Sequence, residues 1–513
     1  MYKMLCLLVA WVLMPSSGGA GVRVASIFGS NMVLQRNASV PVWGTARNGE
    51  TVTVSFAGTS VSTTADATGR WMVHLPSMKE GGPFELVVTG SDTVRCTNIL
   101  VGEVWLCSGQ SNMSLAVEKT TNAEKEIASA YNPMIRLFTV KRAVADSPQT
   151  SCTGSWLLCD PSTVKSFSGA GYYFGRKLQQ DLRVPIGLVH SSYGGTPAEA
   201  WMSQQALTSD SNFQPILDRW KKNLAEYPEK QRDFEAHRER LMKAWDEASA
   251  TAAKDGKAAP TRPQEPIGPG NRSTPSGLFN AMIAPIVPFA FKGVIWYQGE
   301  SNAARAYQYR TLFPALIRDW RSAWGADVPF YYVQLPNLDR QPEPSKSGWA
   351  ELREAQLFTL AVPKTAMAVT IDIGDPTNLH PQNKQDVGYR LALLAEGLQY
   401  GGNTESCQSP IYRSSAREGN RIRIRFEHAA GLHPKEGKEL KGFVCAGEDK
   451  VFVPAQAAID GTDILVWNDA VSAPASVRYG WADNPPCNLV NGAGLPASPF
   501  RTDDWHEVTY KKK

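Results

Sequence analysis

At 513 residues, 42% of them hydrophobic and 20% charged, the chain can bury a large interior without disulfide support, and its length predicts about three domains. Its formal net charge is only +4, with acids and bases interspersed and no basic stripe, which excludes the electrostatic footprint of a nucleic-acid binder.

The first twenty residues hold one basic residue, Lys3, a short apolar run from Met4 to Met14, and small residues from Ser16 to Ala20. This reads as a signal peptide over 1–20, cleaved near Ala20. The apolar run is too short to span a bilayer and no later stretch is long and apolar enough, so a secreted or periplasmic protein without a membrane span is expected. Eight cysteines include Cys6 within that leader, which leaves an odd number. In an oxidising compartment Cys152 with Cys159, or Cys407 with Cys445, are plausible bridges, although spacing alone does not fix connectivity. The cysteine spacings match no zinc pattern, and no metal or cofactor is expected.

Residues 22–100 alternate in short runs, Glu50–Phe56, Gly69–Leu75 and Phe84–Thr89, separated by turn residues, and predict a small β-sandwich. His74 lies within one of these runs without a companion ligand, as a structural histidine does. From 101 to about 400 the texture changes to strands spaced by helical stretches. Candidate strands are Val104–Cys107, Ile135–Val140, Ile186–His190, Gly293–Tyr297, Phe330–Leu335 and Ala366–Asp372; Gly171–Leu178 and Tyr307–Trp320 read as helices. Such alternation favours a parallel sheet covered on both faces.

A charged, strand-free insertion at about 203–276 interrupts this unit. Phe234, Leu241 and Trp245 share one helical face, and Lys254–Pro269 is a connector rich in alanine, proline and glycine. Two readings fit: a solvated helical hairpin, or a lid over the catalytic edge. Residues 405–508 return to β texture and predict a second β-sandwich, in which Arg421, Arg423 and Arg425 line one face, either solvated or anion-binding.

The chemistry concentrates in three blocks. Val104-Trp-Leu-Cys-Ser-Gly-Gln-Ser-Asn-Met113 ends an apolar strand in a tight turn that presents Ser111 at its carboxyl end, the edge where open α/β sheets handle ligands. The other two are Val294-Ile-Trp-Tyr-Gln-Gly-Glu-Ser-Asn302 and Asp372-Ile-Gly-Asp-Pro-Thr-Asn-Leu-His-Pro381. With Gly194, Gly195 and Thr196 they resemble, in this order, the blocks of the SGNH hydrolases, and specifically of their sialate O-acetylesterase-like branch. The resemblance spans about Val101 to Leu394 and implies a flavodoxin-like three-layer α/β/α core, here with flanking β-sandwich modules. It also implies a serine carboxylic-ester hydrolase that removes O-acetyl groups from glycans, most naturally from O-acetylated sialic acids. Acetylated xylan or another hemicellulose is the alternative substrate, and a non-catalytic carbohydrate-binding protein the alternative from another class.

A serine becomes a nucleophile when a base takes its proton and donors await the developing oxyanion. Ser111 is the expected nucleophile and His380 the expected base. Thr377 and Asn378 stand where relatives carry the aspartate that orients the base. Asp375, Asp372, or a main-chain carbonyl in a serine-histidine dyad therefore remain open as the orienting group. The resemblance assigns the oxyanion hole to the amides of Ser111 and Gly195 and to a side-chain amide, Gln298 or, second, Asn302. Glu300, the only acid in its block, can orient Gln298 or Asn112 or face the substrate with Asn112. As a glycosidase acid it would need a second carboxylate, and none is readable. Arg353 is either the fork for a sugar carboxylate or a surface ion pair.

Overall fold

A single strand, Thr93–Gly109, organises this computed structural model, which describes residues 21–256, 259–339 and 347–512. The expected leader lies outside these residues. The strand's first half alternates in exposure and pairs antiparallel with Gly81–Thr89; from Ile99 to Gly109 every residue is buried. The boundary expected near residue 100 therefore falls inside one continuous strand. Val33–Gln35 pairs with Leu100–Gly102 at that point, so the amino-terminal strands are stitched into the large sheet. A smaller sheet of Arg23–Val24, Val40–Thr45 and Arg70–Leu75 stands beside them. His74 is on the exposed face of its strand.

The buried half of Thr93–Gly109 is the middle of the main sheet. The order is Trp156–Cys159, Asn132–Thr139, Ile186–Ser192, Thr93–Gly109, Gly293–Tyr297, Phe330–Val333, Thr365–Ala368, and every pairing but the first is parallel. Ile186–Ser192, Gly293–Tyr297 and Phe330–Val333 are buried at every position, as a sheet covered on both faces requires. Tyr331 packs on Trp105, which meets Phe174 of the helix Gly169–Leu182, while its neighbours Phe330 and Tyr332 pack on Phe313 of the helix Ala306–Trp324. Successive strand residues point to opposite faces, so the two helices cover opposite sides. The result is a mixed α/β unit around a large central sheet. The strand carrying Ser111 lies between Ile186–Ser192 and Gly293–Tyr297, where the chain changes direction across the sheet.

Additional β modules complete the chain. Ile411–Glu418, Arg421–Glu427, Asp463–Trp467 and Gln456–Asp460 form one sheet; Val453–Pro454, Phe443–Ala446, Ser476–Tyr479 and Phe500–Arg501 form another, over a separate core that includes Ile424, Val466 and Phe500. Arg423 is engaged by Glu418, Asp460 and Asp463, and Arg421 lies over Trp467, so this face is a salt-bridged surface and not an anion stripe.

The insertion differs from a helical hairpin. It is one 41-residue helix, Gln214–Lys254, with Ile216 its one fully buried residue. The return is irregular because Pro260, Pro263, Pro266 and Pro269 withhold the amides a second helix needs. This return folds back on the helix, with Trp245 Nε1 donating to Pro260 O and Arg262 over the Trp245 ring.

The seven described cysteines are free thiols. Neither expected bridge forms: Cys152 contacts Ser26 Oγ, Cys159 points its thiol at Ala130 O, Cys407 at Thr404 O, and Cys445 is buried in the carboxyl-terminal core. Cys107 is fully buried, and burial pushes its thiol far up, which makes it an inert packing residue.

Candidate active site

Ser111 starts the short helix Ser111–Ser114 directly after the central strand. The turn depends on Gly109, whose φ is +134° and where a Cβ would lie 2.2 Å from Tyr297 O. Ser108 Oγ donates to Ser191 O (2.5 Å), fixing this strand end to its neighbour. The turn after Ser192 then brings Gly194 against the serine: a Cβ at 194 would lie 3.2 Å from Ser111 Cβ. Among the described residues, the main-chain amides of Ser111 and Gly195 donate to no protein acceptor. The free amide of Gly195 is thus one residue beyond the glycine that faces the Ser111 side chain.

Asn112 joins the distant blocks. Its Nδ2 donates to Glu300 Oε1 (2.6 Å) and to Leu379 O (3.0 Å), and its Oδ1 accepts from Lys384 Nζ (2.8 Å). Lys384 Nζ also donates to Pro381 O (2.6 Å). One buried carboxamide thereby ties the residue after Ser111 to the residue before His380. Asn112 is fully buried and all its polar capacity on Nδ2 is spent, so it is a loop tether and not a substrate contact. Glu300 orients Asn112, the first of its two expected roles, and does not face a substrate: its Oε1 accepts from Asn112, its Oε2 is buried without a partner, and burial pushes the carboxyl up. Burial pulls Lys384 down to about 7, against the opposing pull of Glu300.

His380 is half-buried, and its Nε2 is enclosed without a hydrogen-bond partner. Burial, then the nearby Lys384 charge, lowers its pKa below the ordinary histidine value, so the ring is a free base at neutral pH. Neither aspartate orients it. Asp372 forms a bidentate pair with Arg390 (2.6 and 2.8 Å) and a further bond to Lys435 Nζ (2.9 Å). Asp375 Oδ1 caps its own turn, accepting from Thr377 N and Oγ1 (2.9 Å each) and Asn378 N (3.2 Å). The loop is held instead through Asn378 Oδ1, which accepts from the His380 amide (2.9 Å).

The side-chain donors are also redistributed. Both N–H groups of Gln298 are spent, on Thr196 O (3.2 Å) and Asn302 Oδ1 (2.7 Å), while its Oε1 accepts from Tyr309 OH (2.9 Å). Gln298 therefore ties the third block to the Gly194–Thr196 turn and has nothing left for an oxyanion. Asn302 accepts from Ala198 N (2.9 Å) and donates to Glu199 Oε2 (2.9 Å), which leaves one N–H of its carboxamide. Burial alone would raise the Glu199 carboxyl, but the Arg305 guanidinium and Asn302 hold it below the usual value. Arg353 is fully buried and donates to four main-chain carbonyls, of Leu335, Pro336, Ala482 and Asp483. It clamps the carboxyl-terminal module to the sheet and can bind no sugar acid.

Sequence reasoning missed two features. Lys384 belongs, with Pro381 and Gly388, to the block around His380 that carries the family resemblance, and its role follows from its bond to Asn112. Arg272, in Pro269-Gly-Asn-Arg272 at the end of the insertion, lies against Gly195, where a Cβ would sit 3.2 Å from its Nη2. A cavity of about 360 Å³ beside Gly195 and Ser301 is walled by insertion residues Ile216, Trp220 and Ile267. The insertion therefore borders the site.

Ser111 at the carboxyl edge of an α/β sheet, a loop carrying His380 tied to the residue after that serine by Asn112, and two main-chain amides without a protein acceptor are the kinds of group that ester hydrolysis uses. The sequence profile of the family described as carbohydrate esterase, sialic acid-specific acetylesterase matches residues 101–232 and 273–395. The sialate O-acetylesterase of Rattus norvegicus is 31% identical, with 97% of each chain covered, and that of Homo sapiens is 30% identical over 96% of this chain and 94% of its own. The crystal structure of a carbohydrate acetylesterase from Xanthomonas citri superposes with a TM-score of 0.80 at 36% identity, covering 94% of this chain and all of that one (100%). The chain belongs to this family of carbohydrate esterases.

Proposed function

We propose that the protein is a serine-dependent carbohydrate O-acetylesterase on an SGNH-type α/β/α core, acting on O-acetylated sialic acids. Ser111 Oγ attacks the acetyl carbonyl as His380 Nε2 takes the hydroxyl proton. The amides of Ser111 and Gly195 receive the negative oxygen of the tetrahedral intermediate, with the remaining Asn302 N–H the candidate third donor. Collapse breaks the ester bond, and the imidazolium returns its proton to the departing sugar alkoxide. Water, deprotonated by the same ring, then cleaves the acetyl-serine and releases acetate.

The observation that carries this reading is the Asn112 bridge, which holds the 111 and 379 main chains together while the Ser111 and Gly195 amides stay free. With both aspartates committed elsewhere, the catalytic unit is a serine-histidine dyad. Acetate release measured side by side on O-acetylated sialic acid and acetylated xylan tests the substrate. The sialic acid ester is expected to turn over at least tenfold faster in kcat/KM. Equal, weak rates on both would contradict the assignment, and binding of either glycan without any acetate release would favour a lectin on a hydrolase core.

A further inference from the structure

We infer that Arg272 is a specificity-determining residue that recognises the carboxylate of an acidic sugar, an inference that rests on the esterase reading of the adjoining site. Its guanidinium fills the space beside Gly195: a Cβ at 195 would be 3.2, 3.3 and 3.4 Å from Nη2, Nε and Cζ. Gly195 offers a free amide, and the preceding Gly194 touches Ser111, so this cation stands two residues of one turn away from the reacting hydroxyl.

Arg272 is exposed and makes no hydrogen bond or ion pair with a described residue. That sets it apart from Arg353, Arg305 and Arg390, whose guanidinium groups are spent on carbonyls or carboxylates. An exposed arginine packed against a glycine turn, with its donors unspent, is available to a planar anion.

The surroundings favour the same ligand. Arg272 lines a cavity of about 400 Å³ between the turn at Tyr193 and the insertion, together with Arg238 and Arg262, against one carboxylate, Glu265. Arg142 stacks on the Tyr193 ring at 5.3 Å. Tyr193 and Tyr227 supply flat faces for a pyranose beside these cations. A net-positive, aromatic cleft that shares Arg272 with the Gly195 turn selects, at an esterase site, a substrate bearing both an acetyl ester and a carboxylate.

Two classes of sugar meet this chemistry, sialic acids and uronic acids, and neutral acetylated sugars do not. The test compares kcat/KM of the wild-type protein on O-acetylated N-acetylneuraminic acid, on the methyl ester of its carboxylate, on an acetylated glucuronoxylan fragment and on neutral acetylated xylan. The free acid is expected to exceed its methyl ester by about 10- to 100-fold, mostly through KM, as loss of a charge-assisted bidentate contact implies. Arg272→Met is expected to bring that ratio close to one, and Arg272→Lys to restore part of it.

A wild-type ratio near one, or a ratio unchanged in Arg272→Met, overturns the proposal. Preference for the glucuronoxylan over the sialic acid supports the carboxylate site and identifies a uronate. Equilibrium binding of N-acetylneuraminic acid and of its methyl ester separates this inference from the esterase reading: Arg272-dependent discrimination in binding, without acetate release from any ester, leaves the acid-sugar site standing and removes the hydrolase. Equal binding of acid and ester overturns the site whatever the turnover.

Discussion

Replacing Ser111 by alanine is expected to lower acetate release by about 10⁴- to 10⁶-fold in kcat, with thermal unfolding unchanged within a few degrees. The side chain is half-buried at the start of a four-residue helix and makes no hydrogen bond that supports the fold among the described residues. Its turn is set by Gly109, the Ser108 to Ser191 bond and the Gly194 contact, all of which the alanine variant retains. The loss therefore falls on chemistry alone. The measurement is acetate release from p-nitrophenyl acetate and from the glycan ester, with a melting curve on the same sample. Residual activity above a few per cent would mean that another nucleophile is at work.

Replacing His380 by alanine is expected to cost about 10⁴-fold or more, because neither aspartate of its block stands ready as a second base: Asp372 is locked in its pair with Arg390 and Lys435, and Asp375 caps its own turn. The pH profile carries further information. A base must be unprotonated to act, and burial followed by the Lys384 charge lowers the His380 pKa below the ordinary value of 6.5. Turnover in kcat/KM should rise with pH through that lowered pKa, on an acidic limb that lies below the one an ordinary histidine would give. Lys384→Gln removes the repelling charge, so the acidic limb should move to higher pH, and the same variant loosens the Asn112 tether and should lower the plateau. An acidic limb that stays in place, or moves to lower pH, would contradict this account of the imidazole.

The parts of this site that were legible in the sequence are those in which a short local pattern sets the backbone. Gly109 before Ser111 dictates a turn, the apolar run before it dictates a buried strand, and His380 follows the last sheet strand in a loop of turn residues, so all three point to one sheet edge. What a side chain is bonded to was not legible, because the partners are remote in the chain. Asp372 is claimed by Lys435 in the carboxyl-terminal module, Arg353 by carbonyls at 482 and 483, and Gln298 by Thr196 and Asn302. Each looked available only while those neighbours were out of sight.

The same limit applies to the domain boundary near residue 100. Alternation gives way to continuous burial within Thr93–Gly109, and a change of environment along one strand reads as a change of domain. Arg272 was not legible because a loop of proline, glycine and asparagine has no periodicity that marks out its one cation.

The central claim is that Ser111 is a nucleophile activated by His380 and no other group. It is tested most directly by treating the protein with an esterase-directed fluorophosphonate and locating the adduct by peptide mass spectrometry. The account predicts one stoichiometric phosphonyl adduct, on Ser111, formed at least a hundredfold more slowly in His380→Ala and at an undiminished rate in Asp375→Asn. An adduct on a different residue that accompanies loss of activity, or labelling of Ser111 at the same rate without His380, would contradict it.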